Sequence, residues 1–308
     1  MRPLYLGLDT SNYKTSAGLY SPADGSFRAC GRLLEVPLGS LGLRQSDALF
    51  QHVKQLSARV REVCGGLDGE IRAIGFSARP RDLEDSYMPC FLAGQCAAEC
   101  MGAALGVPVY DFSHQQGHLA AAALSVGRLD LLGAPLLAWH LSGGTTELLL
   151  AEPSEDRILR ASILGGSSDI SAGQVIDRVG VDLEMPFPAG PYVEQAALRS
   201  DTEDVFPVRV QGCTFSFSGV QNQYQARIRA GASKEDVCRF VLRTVARTIL
   251  KATQNARRDH PLPVLISGGV SVCTLVQEVF AKEKDVWFAQ KGLGGDNAVG
   301  AAVLASMR

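Results

Sequence analysis

The chain has 308 residues, of which 46% are hydrophobic and 20% are charged, and its formal net charge is −2. This composition is typical of a globular protein, and the net charge excludes a protein that is basic overall. The length predicts two domains. A nucleic acid would have to be bound by a local basic patch or through another subunit. The sequence has no signal-peptide pattern and no apolar run of membrane-spanning length, and its eight cysteines are scattered. We therefore expect a cytoplasmic protein without a membrane anchor.

The first half of the chain alternates strands and helices. Apolar and small residues predict two strands at residues 4–8 and 15–20, joined by the polar turn 9–14. An amphipathic helix is predicted at residues 46–63, where apolar residues recur every three or four positions. The next predicted elements are a strand at 71–77, a helix at 91–105, a strand at 107–110 and a helix at 114–126.

The strand–turn–strand plan recurs in the second half. Strands are predicted at residues 136–141 and 147–151, again joined by a polar turn. The repeated strand–turn–strand arrangement, which is not accompanied by sequence identity, predicts an α/β protein whose lobes are residues 1–130 and residues 131–308. The later predicted elements are a helix at 237–259, a strand at 263–267, a short helix after a glycine turn and a final helix at 296–307, which we expect to return to the cleft between the lobes.

Two histidines in the stretch SHQQGH are the first functional signal. His114 and His118 lie four residues apart in a predicted helix, so both imidazoles can point at one cation. Asp296, in a distant GGDN segment, can supply a carboxylate to the same ion. Two imidazoles and one carboxylate suit iron or zinc and leave positions open for a substrate. The alternative is a pair of histidines on the surface of a helix.

Glycine-rich turns form the second signal. Gly143 and Gly144 lie between two predicted strands, and Gly268 and Gly269 lie between a strand and a helix. Such turns let backbone N–H groups approach phosphate oxygens and predict a nucleotide site, although tight turns also need glycine for structural reasons alone. Asp177, in a helical stretch, could accept the hydroxyls of a ribose or could form an ion pair with a nearby arginine.

Eight motifs in a fixed order make the pattern specific. Together they resemble the family of tRNA N6-adenosine threonylcarbamoyltransferases, formerly called O-sialoglycoprotein endopeptidases, over residues 6–305. The resemblance implies an actin-like, sugar-kinase-like ATPase fold, in which two lobes of RNase H-like topology, each with a five-stranded mixed sheet, enclose a nucleotide and metal cleft. The motifs are LGLDTS, SHQQGH, LSGGTTELLL, SAGQVIDRVG, PAGP, FSFSG, ISGGV and GGDN.

The resemblance also assigns roles to residues. The family's metal ligands, for one iron or zinc ion, match His114, His118 and Asp296. Asp9, Ser11 and Lys14, in the turn after the first strand, are candidates for catalytic residues. The positions that match nucleotide binding, for threonylcarbamoyl-AMP or for an ATP- or ADP-type nucleotide, are His140, Leu141, Ser142, Gly143, Gly144, Asp177, Gly190, Gly268, Gly269 and Cys273.

The reaction implied by the resemblance is a transfer to tRNA. A threonylcarbamoyl group passes from threonylcarbamoyl-AMP to N6 of adenosine 37, in tRNAs that read codons beginning with A. The cation would polarise the carbamoyl carbonyl, and the nucleotide loops would hold the AMP leaving group. Accessory proteins of a tRNA-modification complex are the expected partners. No HExxH or Ser-His-Asp pattern is legible, so the older name does not predict a protease.

Several positions depart from the family pattern. Asn12, Tyr13 and Lys14 stand where the family has a cysteine and two acidic residues, and Ile170 and Gln174 replace two further acidic residues. Lys14 could bind a phosphate or could be a solvated turn residue. In the nucleotide site, the asparagine that contacts adenine in the family is replaced by a cysteine at position 273. These departures leave two alternatives: a related carbamoyltransferase or kinase-like enzyme with another acceptor, and a non-catalytic scaffold.

Overall fold

The computed structural model describes residues 1–11, 13–36, 43–83, 86–290, 292 and 297–308. They form two compact units, Met1–Gly133 with Glu152–Ala161 and Gly292–Arg308, and Ala134–Ala151 with Ser162–Lys291. The strands are β1 (Arg2–Asp9), β2 (Lys14–Tyr20), β3 (Phe27–Leu33), β4 (Gly69–Arg79), β5 (Val109–Ser113), β6 (Leu136–Leu141), β7 (Thr146–Ser154), β8 (Ile158–Ser167), β9 (Thr214–Phe215), β10 (Val264–Ser267) and β11 (Val286–Phe288).

Helices alternate with these strands. All strands and helices predicted from the sequence by their bounds are confirmed, with ends that agree to within three residues. The helices are α1 (Gln45–Val63), α2 (Leu92–Leu105), α3 (His114–Ser125), α4 (Ala172–Asp182), α5 (Gly190–Ala197), α6 (Ser218–Arg229), α7 (Lys234–Asp259), α8 (Thr274–Val279) and α9 (Asn297–Ser306). In the described part of the chain, none of them combines the length and the apolar character that crossing a membrane requires.

The first unit contains a five-stranded sheet in the order β3-β2-β1-β4-β5. β1 is antiparallel to β2 and parallel to β4. Side chains of β1 alternate between the two faces, so Leu6 and Leu8 join a core that includes Leu56 of α1 and Ala98 of α2. The opposite face of the same strand carries small or polar residues and receives α9.

A row of three glycines lets α9 lie directly on that opposite face. Gly18 of β2, Gly7 of β1 and Gly75 of β4 are paired in register across three neighbouring strands. A Cβ atom at Gly7 would lie 1.8 Å from a backbone oxygen of α9, and Cβ atoms at Gly18 and Gly75 would lie 2.6 and 2.3 Å from α9 backbone atoms. Only glycine permits this approach, so the row determines where α9 can pack against the sheet.

The helices α3 and α9 also meet backbone to backbone. A Cβ atom on Gly300 of α9 would lie 1.9 Å from the carbonyl oxygen of Gly117 in α3. The start of α3 is fixed by a capping box, in which the Ser113 hydroxyl accepts from the N–H of Gln116 and the Gln116 side chain accepts from the N–H of Ser113. The first residues of both helices therefore lie close to the carboxyl end of β1.

The second unit contains a six-stranded sheet in the order β11-β10-β6-β7-β8-β9. The resemblance predicts five strands in this sheet, and that number is wrong: the sheet has six, because the two-residue strand β9 pairs with β8 at its edge. β6 and β7 form the antiparallel pair that the sequence predicted as an echo of β1 and β2. The long helix α7 packs into this core, where the buried indole of Trp139 donates to the Thr253 hydroxyl at 2.8 Å.

Candidate functional site

A cavity of about 230 Å³ lies in the first unit where β1, β2, α3 and α9 meet. All three residues predicted as catalytic and both predicted histidine ligands line it. Asp296 and Asn12, which the sequence also singled out, lie outside the described residues. The lining residues are Asp9, Ser11, Tyr13, Lys14, Ser16, His114, His118 and Asn297.

Asp9, the last residue of β1, is the buried anion of this cavity, with 2% of its surface exposed. One of its carboxylate oxygens accepts from the backbone N–H of Ser11 at 3.0 Å and from the Ser11 hydroxyl at 2.5 Å. The other lies 2.8 Å from Nδ1 of His114. Burial alone would raise the pKa of the Asp9 carboxyl, but His114 and these hydrogen bonds hold it well below its usual range. Asp9 therefore stays ionised and orients the His114 ring.

The two imidazoles lie on one side of α3, as their spacing predicts. Their ring centroids are 4.5 Å apart. The side-chain nitrogen of Asn297, at the start of α9, lies 2.9 and 3.1 Å from the two ring nitrogens of His114 and 3.3 Å from Nε2 of His118. The imidazole nitrogens thus converge on one small region. Among the described residues, no group of three His, Cys, Asp or Glu side chains is arranged to hold a metal ion.

A second cavity, of about 750 Å³, lies wholly in the second unit. Five of the ten residues that the sequence assigned to nucleotide binding line it, namely Gly143, Asp177, Gly190, Gly269 and Cys273. Sequence reasoning missed Glu194, although it follows Gly190 by one helical turn in α5. It also missed Gly173, which approaches the Gly143 backbone so closely that a Cβ atom would lie 2.6 Å away.

The other five predicted residues, His140, Leu141, Ser142, Gly144 and Gly268, are not among the lining residues. Some of them shape the loops beside the cavity. The Ser142 hydroxyl accepts from the Thr145 N–H at 3.0 Å and closes the glycine turn. Gly268 has a φ of +98°, and a Cβ atom there would lie 2.3 Å from the carbonyl oxygen of Leu141. Glycine at 268 is therefore required by the backbone.

Two polar side chains of this cavity are held by neighbouring backbone groups. Asp177 accepts from the backbone N–H of Ala189 at 2.8 Å, which leaves its second carboxylate oxygen for another donor. Glu194 accepts from the N–H of Thr274 at 2.6 Å. Burial and the nearby Glu194 carboxylate raise the pKa of the Cys273 thiol to about 12, so this thiol stays protonated at neutral pH.

The FSFSG motif is held by a carboxylate that sequence reasoning missed. Asp169 accepts from the backbone N–H groups of Phe217 and Ser218 at 2.8 and 3.1 Å and from the Ser216 hydroxyl. Burial would raise the pKa of Asp169, but these hydrogen bonds hold it well below its usual range. The two phenylalanine side chains, Phe215 and Phe217, are buried in the core of the unit. The motif therefore anchors the start of α6 to the segment that precedes α4.

Comparison with known proteins agrees with the resemblance seen in the motifs. Residues 87–302 match the family model described as tRNA N6-adenosine threonylcarbamoyltransferase. The enzyme of that name from Thermus thermophilus is 30% identical, over 98% of this chain and 92% of the relative. A probable bifunctional tRNA threonylcarbamoyladenosine biosynthesis protein from Methanothermobacter thermautotrophicus is 28% identical over 87% of this chain. The match covers 48% of that relative, so the chain spans about half the length of the bifunctional protein.

Solved structures with low sequence identity share the fold. Full-length HypF, in a phosphate- and nucleotide-bound form, aligns with 98% of this chain and 55% of its own at a TM-score of 0.62 and 12% identity. A ROK family glucokinase from Streptomyces griseus, in complex with glucose and AMPPNP, aligns with 99% of this chain and 100% of its own at a TM-score of 0.54 and 15% identity. The fold is thus the actin-like, sugar-kinase-like ATPase fold, and the family model shows that the chain belongs to the tRNA N6-adenosine threonylcarbamoyltransferase family.

Proposed function

We propose that the protein transfers a threonylcarbamoyl group from threonylcarbamoyl-AMP to N6 of adenosine 37 in tRNA, in the cytoplasm. The observation that carries the proposal is the cavity of the first unit, in which Asp9 holds His114 beside His118. The family's metal ligands and the turn after its first strand match these positions. The tRNA would be bound by a local patch or by an accessory subunit, because the chain carries a formal net charge of −2.

We propose that this cavity binds one divalent cation, for which its two imidazoles would be joined by the carboxylate of Asp296. An imidazole that binds a metal commonly donates its other N–H to a carboxylate, which fixes the tautomer and the ring orientation. Asp9 stands in that relation to His114, at 2.8 Å from Nδ1, so Nε2 would be the nitrogen that binds the ion, at the position that the side-chain nitrogen of Asn297 approaches to 3.1 Å. His118 would supply a second imidazole, and Asp296 would supply the carboxylate that the resemblance implies. Iron or zinc bound there would act as a Lewis acid on the carbamoyl carbonyl.

The nucleotide part of the donor fits the cavity of the second unit. Its volume of about 750 Å³ is in the range of small-molecule sites. The glycines at 143, 190 and 269 leave the backbone open to phosphate oxygens, and the second oxygen of Asp177 can accept from a ribose hydroxyl. The nucleotide loops of this cavity would hold the AMP part of the donor.

In the transfer, N6 of the adenosine attacks the carbamoyl carbon of the mixed anhydride. The bond from that carbon to the phosphate oxygen breaks, AMP leaves with the electron pair, and the nitrogen loses one proton to solvent. The chain's own contribution is to hold the donor and to orient His114. We assign no proton transfer to Asp9, because its carboxylate already accepts from Ser11 and contacts His114.

The test is restoration of the modified nucleoside in cells depleted of their own threonylcarbamoyl transferase. Expression of the protein should restore N6-threonylcarbamoyladenosine in hydrolysed tRNA, measured by mass spectrometry. The His114→Ala variant should abolish restoration, whereas the matched control His260→Ala, at the end of α7, should not. No modified nucleoside from soluble protein with its native partners supplied would contradict the proposal.

Cys273 favours one alternative, a related transferase with another acceptor or nucleotide. This thiol lines the nucleotide cavity where the family pattern has an asparagine that contacts adenine. Restoration by Cys273→Asn but not by the unchanged protein would favour this alternative. Failure of both, with the protein folded and bound to its partners, would favour the non-catalytic scaffold.

A further inference from the structure

The side of α7 that faces solvent carries a row of cations. From Val237 to Arg258 the helix contains six lysine and arginine residues and no acidic residue, although the whole chain has a formal net charge of −2. The apolar side chains of α7 are buried in the core of the second unit. Between Phe240 and Ala256, the residues that are not buried are Arg243, Arg247, Lys251, Gln254 and Asn255. The solvent-facing side of the helix is therefore basic and contains no apolar residue over this length.

Structural roles account for four of the six cations. Arg239 and Arg243 both contact the carboxylate of Glu203. Arg257 donates to two backbone carbonyl oxygens of the loop before β11, at 2.8 and 3.0 Å. Arg258 lies in the last turn of the helix, where a positive charge is stabilised by the helix dipole.

The other two cations of α7 have no such role. Arg247 and Lys251 are exposed, and neither side chain forms an ion pair or a hydrogen bond with any residue in the described part of the chain. They are four positions apart, so their side chains start about 6 Å from each other on the helix. Like charges at this spacing destabilise a helix by about 0.2–0.5 kcal/mol per pair. The stability of α7 therefore does not explain why both positions are positively charged.

An extended segment, residues 202–212, runs beside this part of α7. The backbone N–H of Phe206 donates to the Thr244 hydroxyl at 3.0 Å. Further along, the side chain of Asn255 donates to the carbonyl oxygen of Gly212 at 2.7 Å. The segment is thus attached to the helix at two places, three helical turns apart, and Arg247 and Lys251 lie between them.

Arg209 adds a third positive charge between the same two attachments. The side chains of Val208 and Val210 pack against the core, so the side chain between them points to solvent. Arg209 is exposed, and its side chain also has no partner among the residues that the structure describes. We call Arg209, Arg247 and Lys251 the α7 cationic patch.

The chemistry of the patch fits the phosphate backbone of a nucleic acid. A helix that binds a membrane surface buries an apolar face in it, whereas the apolar face of α7 is already buried in the core. The buried centre of a protein–protein interface is apolar and rich in aromatic side chains, which the exposed side of α7 between residues 240 and 256 does not offer. Arginine and lysine side chains are, by contrast, typical contacts of phosphate oxygens.

We propose that the α7 cationic patch binds the phosphate backbone of the nucleic-acid substrate. That this nucleic acid is a tRNA rests on the proposed function; the binding of a phosphate backbone does not. The three cations would position the substrate without reading its sequence, since phosphate contacts carry no sequence information directly. A local patch of this kind is what a chain with a formal net charge of −2 needs in order to bind RNA.

The experiment measures binding of an unmodified tRNA transcript to the whole protein by fluorescence anisotropy, between about 50 and 200 mM potassium chloride. The double variant Arg247→Gln/Lys251→Gln should bind the tRNA about tenfold or more weakly at the lowest salt. Its plot of the logarithm of affinity against the logarithm of salt concentration should be shallower by about 2, because about one counterion is released per phosphate contact. Arg209→Gln should reduce the same slope by about 1, although residue 209 lies outside the helix.

The matched control is Lys54→Gln/Arg61→Gln, which removes the same charge from exposed positions of α1. Its slope should equal that of the wild type, because charges that contact no phosphate release no counterions. Glutamine forms helices about as well as lysine and arginine, so both double variants should keep the wild-type circular dichroism spectrum and thermal midpoint. Equal losses of affinity in the two double variants would overturn the proposal, since they would show an effect of net charge alone.

Two further outcomes would also overturn it. One is an unchanged affinity and slope in Arg247→Gln/Lys251→Gln, and the other is the absence of salt-dependent tRNA binding by the wild type. Vesicles of anionic phospholipid are the second arm of the experiment. Vesicle binding that depends on Arg247 and Lys251, with tRNA binding that does not, would assign the patch to a membrane surface and reject the nucleic acid.

Binding and transfer can fail separately. Patch-dependent binding of tRNA by a protein that does not restore N6-threonylcarbamoyladenosine would keep the patch and reject the proposed function. Restoration of the nucleoside at the wild-type level by Arg247→Gln/Lys251→Gln, with unchanged tRNA affinity, would reject the patch and keep the proposed function.

Discussion

Replacing Gly300 by alanine tests whether the contact between α3 and α9 positions the residues of the proposed cation site. The new Cβ atom would lie 1.9 Å from the carbonyl oxygen of Gly117, and real Cβ atoms essentially never approach a neighbour closer than 3.0 Å. The two helices would therefore have to separate by at least about 1.1 Å, because both partners are backbone and cannot rotate away. The side-chain nitrogen of Asn297 is 3.3 Å from Nε2 of His118, so the same movement would take it out of hydrogen-bond range.

The expected cost follows from overpacking in a core. Insertions of this kind cost about 1–3 kcal/mol, and a clash between two backbones belongs at the upper end. A loss of about 3 kcal/mol lowers the midpoint of thermal unfolding by about 6–12 °C in a unit of this size. A ligand set displaced by about 1 Å also exceeds the tolerance of about 0.2 Å for metal coordination. Zinc affinity should therefore fall at least tenfold.

The assay combines thermal unfolding, followed by circular dichroism, with competition for zinc against a chelating dye. Gly117→Ala is a graded comparison at the same crossing, since its Cβ atom would lie 3.1 Å from the Asn297 carbonyl oxygen and should cost about 1 kcal/mol. Gly133→Ala is the matched control, because its Cβ atom would have no neighbour within 4 Å. A midpoint for Gly300→Ala within 2 °C of the wild type would refute the reasoning, as would a larger loss for Gly117→Ala.

Three further outcomes are expected. Asp9→Asn should weaken zinc binding about 10- to 100-fold in the same dye competition, because an amide does not fix the orientation of the His114 ring as a carboxylate does. Unchanged zinc affinity would show that Asp9 does not orient a metal-binding imidazole. Burial lowers the pKa of His52 to about 4, so the folded protein keeps His52 neutral while the unfolded chain binds a proton near pH 6.5. As the pH drops from 6.5 to 4, the free energy of unfolding measured by urea titration should therefore fall by about 3 kcal/mol more in the wild type than in His52→Gln. Parallel pH dependences of the two proteins would contradict this prediction. Asp169→Ala should lower the free energy of unfolding by about 1–2 kcal/mol, because the hydrogen bonds that hold residues 215–219 are lost. A protease should also cleave this segment faster in the variant. Equal stability and equal cleavage would show that the carboxylate is dispensable.

Elements with a strong local pattern could be predicted from the sequence. The apolar residues of α1, β1 and β6 predict a helix and two strands, and both strands are largely buried, whereas in α1 Val53 is 61% exposed and the buried side includes His52. The proximity of the two histidines could also be predicted, since residues four positions apart in a helix lie on the same side of it. By contrast, β3 was missed because six of its seven residues are exposed, and α6 because only Val220 and Tyr224 are buried on a polar helix. Neither segment has a periodicity of apolar and polar residues that distinguishes a buried face from an exposed one.

Relations between distant segments could not be read from the sequence. Asp9 and His114 are 105 positions apart, and only the packing of α3 against the sheet brings them together. Asn297 carries no signal of its own in the sequence, because the neighbouring Asp296 is the residue whose side chain is typical of a metal ligand. Nothing in the composition of residues 152–161 indicates that they pack with the first unit.

The glycine row of the first sheet has a consequence for the order in which the protein can fold. β1, β2 and β4 are complete once the first quarter of the chain has left the ribosome, but the helix that covers their glycine face is α9, near residue 300. Until α9 arrives, Gly7, Gly18 and Gly75 offer that face no side chains with which to exclude water. Contacts that join such distant segments close slowly. The glycine face of this sheet therefore stays uncovered until α9 has been synthesised, and Asn297, which lines the cavity of the first unit, is added in the same late step.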